Sequence, residues 1–238
     1  MNVKTIRELT DPKINFDESI FLTFDIDWCS DFVLSFCLDL LEEKNIGGTF
    51  FITHDTPLLS RIRKNPKMEL GIHPNFNFLI NGDFRYGRNY KEVVDFYLKI
   101  VPEAISVRSH SLVQSSGILD YFDEKGLVFD VNLLIPSNSG IELKLFKYWS
   151  GNLIRVPYFW EDDTHILYKD NNSVDYYLST PGLKVFDFHP IHLYLNTEDL
   201  NRYEKIKGDM KNKHLLDKHI NDTSFGSLDF FKEILNKL

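Results

Sequence analysis

The sequence predicts an α/β fold built on a parallel sheet, either open or closed into a barrel. Three observations carry this. Short apolar, strand-like runs alternate with segments of helical period along most of the 238 residues. Polar residues recur where those runs end, at Asp25 and Asp27, His54, His73, Arg108, Asp130 and His189, and that edge of a parallel sheet is where sites are built. No linker-like tract or internal repeat breaks the pattern, so residues 1–238 read as a single domain, long enough to bury a real core.

Taken in order, residues 21–27 read as a buried strand ending in two carboxylates. Side chains alternate across a strand, which puts Thr23, Asp25 and Asp27 on one face and Leu22, Phe24 and Ile26 on the other. Ser30 or Asp31 then caps a helix whose apolar face is Val33, Phe36, Cys37, Leu40 and Leu41. That helix stops near residues 45–48. Residues 49–54 form the next strand, and Thr56-Pro57 opens a short helix. A third strand, 68–73, has Glu69, Gly71 and His73 on one face. Helical period returns over 90–101 through Val93, Val94, Tyr97 and Leu98. Residues 105–109 are a short strand, 116–125 a helix stopped by Gly126, and 127–130 the strand after it. Further strands fall at 152–156 and 184–189. Residues 196–224 are polar and weakly periodic and read as a surface excursion. The chain closes on an amphipathic helix, 227–238, with Leu228, Phe231, Ile234 and Leu235 on its apolar side.

Composition narrows the function. A hydrophobic content of 43% is ordinary for a globular protein and too high for disorder. A net charge of -8 argues against a general nucleic-acid binder, and the one lysine-rich stretch, 205–218, is interrupted by Asp and His. No run approaches the length of a membrane span. Cys29 and Cys37 are the only cysteines. Eight residues apart, on or beside one helix, they fit a reducing compartment better than a mutual disulfide. With no apolar signal core at the N-terminus, the cytoplasm is the expected location.

Two acids about 7 Å apart on one strand face are costly beside a core unless a cation, an arginine or a proton neutralises them. His73, Arg108, His110, Asp187 and His189 are the candidate partners. The alternative is that Asp25 and Asp27 only cap the next helix. Other residues are equally open. His73 before Pro74 is either functional or a strand-end histidine bonded to backbone. Residues 157–163 either wall a cleft with Trp160 or hold a core aromatic followed by an acidic loop. Asp130 either joins the site or caps a turn. His54 suits a helix entry, and His165, His214 and His219 suit the surface.

Thr23-Phe24-Asp25-Ile26-Asp27 resembles the first motif of the polysaccharide deacetylases, the NodB-homology group of carbohydrate esterases. Gly71-Ile72-His73-Pro74-Asn75-Phe76-Asn77 resembles their second motif, Val107-Arg108-Ser109-His110 their arginine motif, and Phe188-His189-Pro190 their closing histidine motif. The similarity runs in order from about residue 20 to 195. It is nearest to the branch found in O-antigen and capsule gene clusters. The resemblance implies a distorted (β/α) barrel and metal-dependent hydrolysis of an N-acetyl group on a sugar or sugar-containing intermediate. It also implies roles. Asp27 and His73 bind a divalent metal, typically zinc, with cobalt or nickel as alternatives. Asp25 is the general base, Arg108 orients it, and His189 protonates the leaving amine. Asp187, two residues before His189, is expected to fix the tautomer of that imidazole.

The chain departs from the pattern at Asn77, where the family usually has a second metal-binding histidine. Three outcomes follow. Asn77 ligates more weakly, since an amide oxygen is a poorer zinc ligand than imidazole. Or His110, which replaces the family's usual proline, supplies the missing nitrogen. Or the site holds no catalytic metal, and the protein is a sugar-binding or scaffolding relative on the same fold. A C–N hydrolase acting on a small non-sugar amide is a further alternative.

Overall fold

A computed structural model describes residues 1–170 and 172–238. Its strands, numbered along the chain, are β1 (Asn2–Lys4), β2 (Ser19–Asp25), β3 (Gly48–Ile52), β4 (Met68–Ile72), β5 (Ser106–Val107), β6 (Phe129–Leu134), β7 (Phe146–Lys147), β8 (Ile154–Tyr158), β9 (Trp160–Glu161) and β10 (Val185–Phe188). They form one sheet in the order β7-β8-β6-β5-β4-β3-β2-β10-β9, with β1 paired to the start of β2. Every pairing is parallel except β7 on β8. β8 and β9 lie toward opposite ends of that order, yet only Phe159 separates them in the chain. The sheet is therefore curled into a half-barrel whose gap the chain itself crosses.

The helices are α1 (Asp31–Glu43), α2 (Leu59–Lys64), α3 (Asn77–Ile80), α4 (Tyr90–Ile100), α5 (Ser116–Glu124), α6 (Asp162–Tyr168), α7 (Val174–Ser179), α8 (Pro190–Leu195), α9 (Leu200–Ile206), α10 (Lys213–Asp217) and α11 (Ser227–Asn236). They cover the outer face of the sheet, where Leu22, Phe24, Phe50, Phe186 and Phe188 are fully buried. Phe24 stacks on Phe50 at 4.8 Å, and Phe231 of α11 meets Phe188 edge-on at 4.8 Å. On α1 the buried stripe is Val33, Leu34, Cys37, Leu38 and Leu41. It is rotated from the expected face because Phe36 turns sideways to meet Tyr194 of α8 at 5.3 Å.

The inner face is polar and layered. At the N-terminal end of the barrel, Glu69 accepts hydrogen bonds from the Arg7 backbone N–H (2.7 Å), Thr49 Oγ1 (2.8 Å) and Ser106 Oγ (2.8 Å). Burial pushes its carboxyl above the usual range. Above that layer Phe51 lies against Gly71, where a Cβ would come within 2.7 Å of the ring. Only glycine allows that approach. The polar groups that carry chemistry form the next layer, at the C-terminal ends of the strands.

Several expectations shift. Two-residue strands such as β5, β7 and β9 are too short to show alternation in sequence. The segment expected to be a surface excursion instead contains α9 and α10. It is pinned where the buried Asn196 and Asn221 exchange amide-to-carbonyl hydrogen bonds, at 3.2 and 2.9 Å.

Candidate active site

β2 ends at Asp25, and the chain then turns sharply: Asp27 and Trp28 have φ of 32° and 53°. Non-glycine residues adopt that left-handed conformation at a cost, and such strain gathers at functional sites. Asp27 thus enters the cleft through a turn, not by the strand alternation expected for it. The Trp28 N–H donates to Thr53 Oγ1 at 3.0 Å, which holds the turn to the end of β3.

Below the turn sits Arg108, fully buried at the exit of β5. Its guanidinium lies between the rings of Phe51 and Tyr158, 4.7 and 4.5 Å from their centres. Nη1 donates to Asp25 Oδ1 and to Thr23 Oγ1, both at 3.0 Å, and also to Asp187 Oδ1. One cation therefore serves two carboxylates. Burial drives the Asp187 carboxyl well above its usual range, against the pull of Arg108. Asp187 does not hold His189, as expected from its place two residues earlier. It faces into the barrel toward Arg108.

The residue that holds His189 is Asp162, fully buried at the start of α6. Its carboxylate accepts from His189 Nδ1 and from the His189 backbone N–H, both at 2.7 Å. A carboxylate only accepts, so the proton on Nδ1 is fixed and Nε2 is turned toward the cleft, 3.8 Å from Asp27 Oδ2. Burial works against a charge on this ring, but Asp163, Asp162 and Asp27 outweigh it and hold its pKa well above the ordinary histidine value.

Three groups among the described residues could hold a metal ion: Asp162, Asp163, His189 and His192; Asp25, Asp187 and His189; and Asp27, His73 and His110, the last three of which all line the cleft. Asp27 Oδ1, His73 Nε2 and His110 Nδ1 form an equilateral triangle with all three sides 3.3 Å. Tetrahedral zinc, with bonds of about 2.0–2.1 Å, has ligand-to-ligand edges of roughly 3.3 Å. Asp27 Oδ1 is buried and lacks a hydrogen bond of good geometry, which a cation would remedy. Burial opposes its ionisation, but the facing His110, His73 and His189 rings hold the carboxyl well below the usual range. The donor set and its spacing fit a divalent metal.

Asn77 is not among the residues that line the cleft with this triangle. It is on the first turn of α3, and its Nδ2 donates to Ser111 Oγ at 3.0 Å. His110 reaches the triangle because Ser111 and Leu112 both turn left-handed, with φ of 56° and 55°, and Trp28 packs edge-on against its ring at 5.1 Å.

Of the residues singled out in the sequence, Asp25, Asp27, His73, Arg108, His110 and His189 converge, and Asn77 does not. Glu161, Asp162 and Asp163 were missed as site residues. Their signal is the acidic triplet that follows Trp160. Trp160 turns away from the cleft and stacks on Phe230 at 4.6 Å, while Glu161 and Asp163 line the cleft, a cavity of about 100 Å³. His192 is buried, with Nε2 2.6 Å from Asp163 Oδ1. His165 is not a free surface residue, because its Nδ1 accepts from Trp160 Nε1 at 3.3 Å. Asp130 does not cap a turn; it is buried against Arg155 and Asn132.

A curled parallel sheet with acids, imidazoles and a buried arginine gathered at its C-terminal edge defines a β/α half-barrel of the NodB-homology deacetylase type. Residues 22–207 match the model of the family described as WbmS-like polysaccharide deacetylases. The chain belongs to that family. Among solved structures it is similar to a candidate polysaccharide deacetylase of Bordetella bronchiseptica, WbmS, described as involved in O-antigen biosynthesis. The two are 44% identical over 99% of this chain and 98% of that one, with a TM-score of 0.92. A candidate polysaccharide deacetylase of Mycobacterium smegmatis aligns at 15% identity over 92% of this chain and 88% of that one, with a TM-score of 0.49. A family 4 carbohydrate esterase of Streptomyces lividans, solved with acetate, aligns at 13% over 72% and 78%, with a TM-score of 0.44. No curated protein matched the sequence.

Proposed function

We propose that this protein removes the N-acetyl group from an amino sugar during surface-polysaccharide biosynthesis, using a divalent metal, zinc in the first instance, held by Asp27, His73 and His110. The observation that carries the reading is the 3.3 Å triangle of Asp27 Oδ1, His73 Nε2 and His110 Nδ1, flanked by an arginine-held carboxylate and a carboxylate-held imidazole. His110 at the third corner supports this reading over the non-catalytic alternative that Asn77 raised. The description of the Bordetella relative supports a place in O-antigen assembly. The two buried free cysteines support a cytoplasmic location. No helix among the described residues is long and apolar enough to cross a membrane. One continuous buried cluster from Ile6 to Leu235 supports treating residues 1–238 as one deacetylase domain.

Asp27, His73 and His110 would hold the divalent ion, which would supply Lewis acidity at the cleft. The side chains divide the remaining work. Asp25 takes a proton from the attacking water, and Arg108 Nη1, donating to it at 3.0 Å, keeps that carboxylate aimed. His189 Nε2 delivers a proton to the departing amine, and Asp162 fixes which nitrogen carries it. The cleft walls, Glu161 and Asp163, offer carboxylate acceptors to sugar hydroxyls.

The test is acetate release from N-acetylated amino sugars by protein stripped with chelator and reloaded with zinc, cobalt or nickel. Activity should return with metal. Asp25→Asn should lower it by roughly a thousandfold or more while metal content stays near one ion per chain. Near wild-type turnover in Asp25→Asn would rule out the assigned base. No release from any N-acetylated sugar by the loaded protein would overturn the deacetylase reading.

A further inference from the structure

We infer that Asn132 is a positioning residue that holds His110 at the third corner of the metal triangle; this rests on the metal reading above. His110 sits in a turn that L-residues do not favour, since both residues after it have positive φ. Something outside the turn has to hold it, and both of its ends are fastened to Asn132. At the near end, the Ser109 N–H donates to Asn132 Oδ1 at 2.7 Å. At the far end, Gln114 Nε2 donates to the Asn132 backbone carbonyl at 3.0 Å. Asn132 is itself fixed from behind. Its Nδ2 donates to Asp130 Oδ1, Asp130 Oδ2 pairs with Arg155 Nε, and Arg155 Nη2 closes the ring on Gln114 Oε1 at 2.6 Å. Asn132 and Asp130 are buried, at 1% and 0% exposure.

Only one kind of side chain satisfies this place. A backbone N–H only donates and a carboxylate only accepts, so residue 132 needs an acceptor and a donor on one short stem. Asparagine has both. Aspartate keeps the bond to Ser109 but sets two carboxylates against each other. Alanine leaves a buried N–H and a buried carboxylate oxygen without partners. Groups that orient a metal ligand without touching the metal commonly change affinity by roughly ten- to a hundredfold. Here the device sits behind the ligand that departs from the family pattern.

The test is cobalt affinity, measured by competition with a chromophoric chelator, in a double-mutant cycle. Asn132→Asp should weaken cobalt binding by roughly tenfold or more in the wild-type background and by less than about twofold in the His110→Ala background. The visible absorption of the cobalt-loaded protein should shift in Asn132→Asp, reporting a changed ligand field. Losses that multiply across the two backgrounds, with an unchanged cobalt spectrum, would mean that Asn132 serves the fold alone. Gln114 is exposed, so Gln114→Ala provides a variant that folds. It should weaken cobalt by about threefold, again only when His110 is present, and no effect there would count against the proposal. Failure of the wild-type protein to bind cobalt at all would sink the metal reading and this inference with it. Multiplying losses would sink this inference alone.

Discussion

Asp162 shows how much one buried carboxylate can decide. It occupies the first turn of α6 and meets both His189 Nδ1 and the His189 backbone N–H at 2.7 Å. Asp162→Asn keeps the size but presents an amide, which frees the ring to take the other tautomer. We expect kcat for acetate release to fall by at least about a hundredfold while metal content is unchanged. Equal activity in the variant would show that His189 needs no orienting partner. Asp130 makes a different statement, about stability. Burial raises its carboxyl, Arg155 and Asn132 offset that only in part, and the result is pushed up to about 6. The folded value lies above the ordinary 3.8. The stability linked to this proton is therefore complete below about pH 4 and lost as pH rises through 6, a change on the order of 3 kcal/mol. Chemical denaturation of wild type and Asp130→Asn across pH 4–7 should show the gap between them change over that window. A constant gap would mean that Asp130 titrates at its ordinary value.

Elements were legible in proportion to how much of their pattern is local. The run 21–27, the amphipathic stripe of α4 and the closing helix were all readable, because burial of one face dictates apolar spacing within a few residues. Phe231, read from α11 by spacing alone, packs against Phe24 and Phe188. Phe231→Ala should cost about 3–5 kcal/mol in urea denaturation; a loss under 1 kcal/mol would show that α11 is not part of the core. What escaped the sequence depends on distant partners. β9 is two residues long and exists because β10 pairs with it. The partner of His189 lies 27 positions earlier in the chain. The choice between Asn77 and His110 turns on two left-handed residues, Ser111 and Leu112, that follow a serine bonded to the distant Asn132. Asp187 was misassigned because alternation placed it beside His189 correctly in sequence but said nothing of Arg108 behind it.

At the scale of the whole molecule, the layering of the inner face divides labour. Glu69 and its three donors close one end of the half-barrel, and the carboxylates and imidazoles line the other. Ring size is set where β8 runs into β9 through Phe159 alone. That connection also orders events during synthesis. β2 emerges early, yet one side of it is completed by β10, with Val185 opposite Phe21 and Phe188 opposite Phe24. Until residues 185–188 leave the ribosome, the strand that completes that side is missing. Pairings this far apart in sequence form slowly, and bare strand edges invite aggregation. Pulsed hydrogen exchange during refolding should protect the Phe21 amide, which donates to the Lys184 carbonyl at 2.8 Å, in the same slow phase as the amides of Phe186 and Phe188. Protection of Phe21 ahead of β10 would contradict this order. A nascent chain that stalls short of β10 would leave the ribosome as a substrate for chaperones, with its catalytic strand already made and one edge of it still bare.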